Sequence, residues 1–185
     1  MAITFPTLYL ILIIFVIIQR VFELYVSKKN ERTLKAKGGK IIFEKNYIAM
    51  VLLHSSWLCY LLYHAITSPI IYSPMITPIC LFLFVIGQIL RITTIKTLGY
   101  RWTTTIAVLP EKPVIKKGLF KWVRHPNYLG VCIEIFTLPA AVSLFLPALF
   151  FSIVNFIILF FRIKTEEYYL NKYSSYNQIF KNEKV

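Results

Sequence analysis

Long apolar runs separated by polar or basic segments constrain the fold of this chain more than any other feature of its sequence. Leu8–Leu24, Tyr47–Ile66 and Met75–Ile95 are each close to the ~20 mostly apolar residues that a helix needs to span a bilayer. A fourth run, Tyr128–Phe161, is too long for one span, because a single helix of this length would measure about 50 Å. The pattern is typical of an integral membrane protein.

Two prolines indicate how the fourth run is divided. Pro139 and Pro147 bracket a turn, and we predict a helical hairpin with two rather short arms. The polar tail from Arg162 onwards is expected to begin as a helix. The predicted fold class is therefore an all-α integral membrane protein with five transmembrane helices, the last two of which form the hairpin.

The basic residues fall on one side of this arrangement. The chain has 21 Lys and Arg against 8 Asp and Glu, and 57% of its residues are hydrophobic. Nearly all the cations lie in Ser27–Asn46, in Gly99–Asn127 and in the C-terminal tail, whereas the turns Ile66–Met75 and Pro139–Pro147 carry none. The positive-inside rule then predicts an outside N-terminus and a cytoplasmic C-terminus. Because the cations are interleaved with spans, we predict membrane lipids and no nucleic acid as partners.

The strongest local motif is RHPNYLG at residues 124–130, where the polar segment meets the fourth apolar run. Pro126 can begin a helix, because its missing N–H would be unpaired at that position anyway. The free N–H groups of such a helix start can hold an anionic group, and His125 adds a further donor. The alternative is an anchor of Arg, His and Tyr at the membrane interface, and the residues alone leave both open.

A second motif combines Arg162 with Glu166 and Glu167. Arg162 and Glu166 are four residues apart and share a helix face. By spacing alone they form a surface ion pair worth a few tenths of a kcal/mol. In the alternative interpretation, the carboxylate binds hydroxyl or amino groups of a ligand and the Arg holds an acidic acceptor.

Four polar residues lie inside the predicted spans at a similar depth, roughly 7–10 Å from the cytoplasmic end of each helix. They are Gln19, Arg91, Glu134 and Asn155. Such groups usually face a bundle interior or a wet cavity, although Arg91 could also snorkel to the interface. We predict that Arg91 and Glu134 meet inside the bundle and that Asn155 and Gln19 complete their network.

The remaining titratable groups suggest no second centre. His54 and His64 are expected to be packed or interfacial, and no set of three or four metal ligands is visible, so no metal site is predicted. The sequence also contains no GxGxxG run, Walker loop or nucleophile elbow.

The RHPNY run at 124–128, followed by RIKTEE at 162–167, resembles the paired motifs of the isoprenylcysteine carboxyl methyltransferase family, which are shared with phospholipid N-methyltransferases. Residues 20–24, residues 29–32 and His54 resemble the small bacterial branch of that family, some members of which are linked to alkylpyrone O-methylation. The resemblance implies a multi-pass protein of the bacterial cell membrane. It also implies that residues 99–185 form the cofactor-binding and catalytic part of one domain spanning 1–185, after three helices in 1–98.

The same resemblance implies S-adenosyl-L-methionine as cofactor and O-methylation of a lipophilic acceptor that enters from the bilayer, either an isoprenylcysteine-like carboxylate or an alkylpyrone-like enol. Arg162 would contact the acceptor. The implied cofactor-binding residues are Lys112, Pro113, Val114, Ile115, Phe120, His125, Pro126, Asn127, Tyr128 and Glu166. The alternatives are phospholipid N-methylation, and a non-enzymatic small membrane subunit or transporter.

Overall fold

A computed structural model describes residues 4–110 and 112–174. These residues form a bundle of five helices with a small two-stranded sheet at one end. The helices are α1 (Phe5–Ala36), α2 (Lys45–Thr67), α3 (Ile76–Leu98), α4 (Pro126–Ala140) and α5 (Phe145–Tyr173). The strands are β1 (Lys40–Ile42) and β2 (Ile106–Val108), which pair antiparallel, and single 3-10 turns cover Gly99–Arg101 and Gly118–Lys121.

The mainly helical membrane fold agrees with the sequence prediction, but the number of full spans does not. Within the described residues, α1, α2, α3 and α5 are long and apolar enough to cross a membrane. Helix α4 has 15 residues. At 1.5 Å per residue it measures about 22 Å, less than the ~30 Å of a bilayer's hydrocarbon core. The prediction of five spanning helices is therefore not confirmed: four helices of the described residues are long enough to span, and α4 is a fifth, shorter one.

Helix α1 is longer than the apolar run that predicted it. It continues through the first part of the basic segment to Ala36, because that stretch is rich in helix formers such as Lys, Glu, Arg and Leu. The chain leaves the helix at Gly38, whose φ of 78° is easily reached only by glycine. The residues beyond it form β1 and turn towards α2, so the segment predicted as a linker carries regular structure.

The hairpin has its turn between Pro139 and Pro147, as predicted, but its arms differ in length. Helix α4 is short, whereas α5 has 29 residues and does not end with the apolar run. The prediction of two short arms is wrong for α5. The polar residues from Arg162 to Tyr173 continue the same helix, and half of them are the good helix formers Arg, Lys, Glu and Leu.

Helices α3 and α4 pack closely against each other in antiparallel directions. A Cβ added to Gly130 would lie 2.7 Å from the carbonyl oxygen of Gly87 and 2.7 Å from Cγ of Arg91. At the other end of the pair, the Thr77 hydroxyl donates to the carbonyl of Ala141 at 2.7 Å. This register places the start of α4 beside the last two turns of α3, inside the bundle. The short helix therefore leaves space at its N-terminus.

The apolar core fills the opposite half of the bundle from that space. Tyr9 and Ile13 of α1, Trp57 of α2, and Ile135 and Leu138 of α4 are all buried there. The Tyr9 hydroxyl donates to the Leu138 carbonyl at 3.1 Å and so satisfies a polar group inside the core. Many large apolar side chains face outwards instead, among them Phe15, Phe22, Phe82 and Phe156. An outer surface of this kind suits hydrocarbon rather than water.

Candidate active site

A cavity of about 260 Å³ occupies the space at the start of α4. It is bounded by all five helices and by the segment that joins α3 to α4. All eleven residues that the sequence assigned to cofactor or acceptor line this cavity: Lys112, Pro113, Val114, Ile115, Phe120, His125, Pro126, Asn127, Tyr128, Arg162 and Glu166. The structure thus brings the two motifs together, and the individual roles stay predictions.

The hydroxyl of Tyr128 links the two motifs directly. It donates to Oε2 of Glu166 at 2.5 Å and accepts from Nε of Arg162 at 3.0 Å. Tyr128 lies in the first turn of α4, while Arg162 and Glu166 lie one turn apart on α5. The crossing of these two helix ends therefore fixes the relative positions of a phenol, a guanidinium and a carboxylate.

His125 contacts the carboxylates of both Glu166 and Glu167. Its Nε2 lies 3.2 Å from Oε1 of Glu167, and its Nδ1 lies 3.8 Å from Oε2 of Glu166. The imidazole also stacks on the ring of Tyr128, with 5.4 Å between ring centroids. As the N-cap residue of α4, His125 accepts the backbone N–H groups of Tyr128 and Leu129 at its carbonyl, at 3.1 and 3.2 Å.

Arg162 is buried and held on several sides. Only 2% of the residue is exposed, so the surface ion pair considered for it is wrong. Its Nη1 lies 3.0 Å from Oε1 of Glu44, and its Nη2 donates to the carbonyl of Thr104. The guanidinium also lies over the ring of Tyr47, 5.9 Å from its centroid. The ion-pair partner of Arg162 is therefore Glu44, at the start of α2. The hydroxyl of Tyr128 lies between Arg162 and Glu166.

Sequence reasoning missed Glu44, and no local signal could have found it. Burial raises the pKa of the Glu44 carboxyl above its ordinary value, although the Arg162 guanidinium acts in the opposite direction. Burial therefore disfavours the charged form of the Glu44 carboxyl group more strongly than the guanidinium of Arg162 favours it. A buried carboxylate whose charged form is disfavoured in this way is typical of a functional site, and here Glu44 holds Arg162 in place.

The segment 112–115 forms the outer wall of the cavity. Arg101 donates from Nη1 to the carbonyl of Pro113 at 2.8 Å and ties this wall to the end of α3. Val114 and Ile115 are half-buried, and Phe120 stands on the second 3-10 turn. The wall therefore offers backbone polar groups beside apolar side chains.

The extension of α1 beyond the bundle positions the polar segment that follows α3. Asn30 donates from Nδ2 to the carbonyl of Trp102 at 2.7 Å, and the Thr105 hydroxyl donates to Oε1 of Glu31 at 2.7 Å. The backbone N–H of Thr104 donates to the Ser27 hydroxyl at 2.8 Å. Because Thr104 in turn contacts Arg162, this extension contributes indirectly to the site.

The inner end of the cavity meets a buried network of four charges. Arg91 contacts Oε2 of Glu134 through Nη1 at 2.5 Å and contacts Glu23 through Nη2. Arg20 lies 3.1 Å from Glu23 and 2.6 Å from Glu134. The predicted meeting of Arg91 and Glu134 is confirmed. Arg20 and Glu23 were missed as members of the network, although their spacing of three residues places them on one helix face.

Two glutamines extend this network, and Asn155 does not take part in it. Gln88 donates to Oε1 of Glu134 at 2.9 Å, and Gln19 donates to Gln88 at 2.8 Å. Asn155 instead donates weakly to the sulfur of Cys132 at 3.5 Å. The prediction was right for Gln19 and wrong for Asn155, because similar depth in a bundle does not imply the same helix face.

No three His, Cys, Asp or Glu side chains within 4–110 and 112–174 are close enough together to hold a metal ion. The outer end of the cavity carries Glu166 and His125, and its inner end carries Arg20, Glu23, Arg91 and His54.

These features define a small multi-pass membrane protein with a ligand cavity between its helix ends. The sequence profile of the isoprenylcysteine carboxyl methyltransferase (ICMT) family matches residues 79–172. The chain belongs to this family of membrane methyltransferases, and the matched region contains both motifs.

Two bacterial proteins are similar over most of the chain. The uncharacterized protein YpbQ of Bacillus subtilis strain 168 is 31% identical over 164 residues, which cover 89% of this chain and 97% of YpbQ. An uncharacterized protein of Haemophilus influenzae is 30% identical over 161 residues, covering 80% of this chain and 86% of that protein. No solved structure matches the chain.

Proposed function

We propose that the protein is an S-adenosylmethionine-dependent methyltransferase that O-methylates a lipophilic acceptor, either an isoprenylcysteine-like carboxylate or an alkylpyrone-like enol. One observation carries the proposal: the residues that the family motifs assign to donor and acceptor all border one cavity. The cavity reaches from the polar segment after α3 to the interior of the bundle, so a polar donor and an apolar acceptor can meet in it.

The residues at the outer end fit the donor chemically. Asn127 has a buried Oδ1 without a hydrogen-bond partner among the described residues, and it borders the cavity beside His125. A ligand with amino and hydroxyl groups would supply the missing donor. Glu166 offers a carboxylate for such groups, and Phe120 offers an aromatic face for a flat heterocycle.

Catalysis then requires alignment rather than strong acid or base chemistry. S-adenosylmethionine supplies a methyl group that its sulfonium has already activated. Arg162 would hold the acceptor oxygen with its planar guanidinium and offset its negative charge. The surrounding helices would exclude water and hold the reactants in line. A carboxylate or enolate acceptor needs no proton to be removed when its oxygen takes the methyl group.

The hydrogen-bond donors beside the cavity favour an acceptor oxygen over an amine. Arg162 is buried beside the cavity, and Arg20 and Arg91 line its inner end. Guanidinium groups only donate hydrogen bonds, so they suit a carboxylate or enolate oxygen better than a protonated amine, which also only donates. The one-sided distribution of cations in the sequence further supports a cytoplasmic donor site, with the N-terminus outside and the C-terminus inside.

Two measurements test the proposal. Calorimetry of purified protein should detect S-adenosylhomocysteine binding that His125→Ala and Glu166→Ala each weaken, while the exposed control Lys121→Ala leaves it unchanged. Lipid extracts incubated with radiolabelled donor should then yield a labelled, base-labile ester or an enol ether. Unchanged affinity in both site variants would remove the donor site, and label confined to amines would contradict O-methylation.

A further inference from the structure

One face of α2 borders the inner half of the cavity. Tyr47, Met50, Val51 and His54 all line it, and their spacing is that of a single helix face. His54 is the deepest of them, about 13 Å along the helix from its start at 1.5 Å per residue. An apolar face would suffice to enclose a lipid chain, so an imidazole at this depth needs a separate explanation.

The imidazole of His54 is unsatisfied in the part of the chain that the structure describes. Its Nε2 is buried and has no hydrogen-bond partner there. Buried polar atoms are nearly always paired, and an unpaired one costs stability unless a ligand or water completes it. His54 lines the same cavity as Arg20 of the buried charge network and as Arg162, the predicted acceptor-binding residue.

Three further polar atoms of residues that line the cavity share this condition. Nε of Arg20, Nε of Arg91 and Nη1 of Arg162 are buried without a hydrogen-bond partner in the described residues, although all three arginines are ion-paired. Together with His54, these residues come from α1, α2, α3 and α5, and all line the cavity. A few converging polar groups in a mostly apolar pocket are the usual sign of a bound head group.

We propose that the inner end of the cavity holds the polar head group of the methyl acceptor and that Nε2 of His54 hydrogen-bonds to it. This inference rests on the proposed function and adds the acceptor half of the site. Arg20, His54 and Arg162 together suit a head group with carbonyl, hydroxyl or carboxylate oxygens, because guanidinium groups only donate hydrogen bonds. The apolar tail of the acceptor then extends along the Met50 and Val51 side of the cavity.

The test uses two amides that resemble different halves of an imidazole. In His54→Gln the side-chain nitrogen reaches about as far as Nε2, whereas in His54→Asn it reaches only about as far as Nδ1. With lipid extract as acceptor and labelled donor, we expect His54→Asn to raise the half-saturating amount of extract roughly tenfold, as for one lost hydrogen bond of 1.4 kcal/mol. His54→Gln should retain most of the wild-type value, and both variants should bind S-adenosylhomocysteine normally.

His64 provides a matched control on the same helix. Its Nδ1 is also buried without a partner in the described residues, but it does not line the cavity, and its ring lies 6.3 Å from that of Tyr60. His64→Asn should leave both saturation and cofactor affinity unchanged. Equal saturation in wild type and His54→Asn would overturn the inference. So would a parallel loss of S-adenosylhomocysteine affinity, because that result indicates a general structural role.

A second readout does not depend on turnover. Diethyl pyrocarbonate should modify His54 in the purified protein, and N-acetyl-S-farnesylcysteine or the lipid extract should slow this modification at His54 but not at His64, as measured by mass spectrometry. Failure of His54 to react, or reaction without protection by either probe, would contradict the inference. Absence of product and of S-adenosylhomocysteine binding would instead defeat the proposed function, so the two failures are distinguishable.

Discussion

Arg91 of α3 and Glu134 of α4 form an ion pair in the interior of the bundle, with 2.5 Å between Nη1 and Oε2. Both residues are almost fully buried, at 1% and 0% exposure. Either charge alone would be costly at this depth, and each has a second partner of opposite sign in Glu23 or Arg20. The four charges therefore balance and join three helices beneath the cavity.

Breaking this pair from one side should destabilise the protein more than removing both partners. We expect Arg91→Met and Glu134→Gln each to cost about 3–5 kcal/mol in unfolding free energy, because each strands a buried charge. The double variant leaves Arg20 paired with Glu23 and should recover about 0.5–3 kcal/mol. A double-mutant cycle in detergent measures this coupling. Additive losses would show that the pair contributes no interaction energy of its own.

Gly130, the last residue of the RHPNYLG motif, should not tolerate a methyl group. An alanine Cβ there would lie 2.7 Å from Cγ of Arg91 and 2.7 Å from the Gly87 carbonyl, so α3 and α4 would have to separate. We expect Gly130→Ala to cost about 1–3 kcal/mol, as overpacking generally does. Val85→Leu, on the exposed face of α3, is the control and should be neutral. Wild-type stability of Gly130→Ala in thermal unfolding would contradict the close packing.

Arg162→Lys should lose turnover while keeping cofactor affinity. Lysine retains the charge but lacks the planar fork that contacts Tyr128, Thr104 and Glu44, so the acceptor oxygen would be misplaced. Misplacement by about 1 Å can cost roughly a hundredfold in rate. Turnover of labelled donor and S-adenosylhomocysteine calorimetry separate the two effects, with the exposed Lys164→Arg as control. Undiminished turnover would reduce Arg162 to a structural partner of Glu44.

Glu44 should act on turnover only through Arg162. Glu44→Gln keeps the size of the side chain but removes the counter-charge, so Arg162 loses one of its fixed contacts and turnover should fall. Because one residue acts through the other, the double variant Glu44→Gln with Arg162→Lys should be no slower than Arg162→Lys alone. Independent, multiplying losses in the initial rates would indicate a separate function for Glu44.

The orientation of the chain can be tested by cysteine labelling in a variant without the native cysteines. Ile71 and Leu146 are exposed beside the two turns that carry no Lys or Arg, whereas the control Lys117 lies in the basic segment. An impermeant maleimide added to intact cells should label Ile71→Cys and Leu146→Cys but not Lys117→Cys. The reverse pattern would invert the predicted topology.

Much of the fold and of the site could be predicted from the sequence because the bilayer restricts what a chain can do. Backbone polar groups in hydrocarbon must be paired within the chain, so each long apolar run becomes a helix. The RHPNYLG and RIKTEE motifs selected residues that the structure gathers around one cavity. The opposite charges of Arg91 and Glu134 at a similar depth led to the prediction that they meet, because each charge needs a partner there.

What the tertiary structure decided concerns contacts between distant segments. The pairing of Glu44 with Arg162, the place of Arg20 and Glu23 in the buried network, and the exclusion of Asn155 from it all depend on how each helix is rotated about its axis. Sequence fixes the depth of a residue along a helix through the rise of about 1.5 Å per residue. Its neighbours across the bundle are determined by packing, as at Gly130, where α3 and α4 approach each other closely.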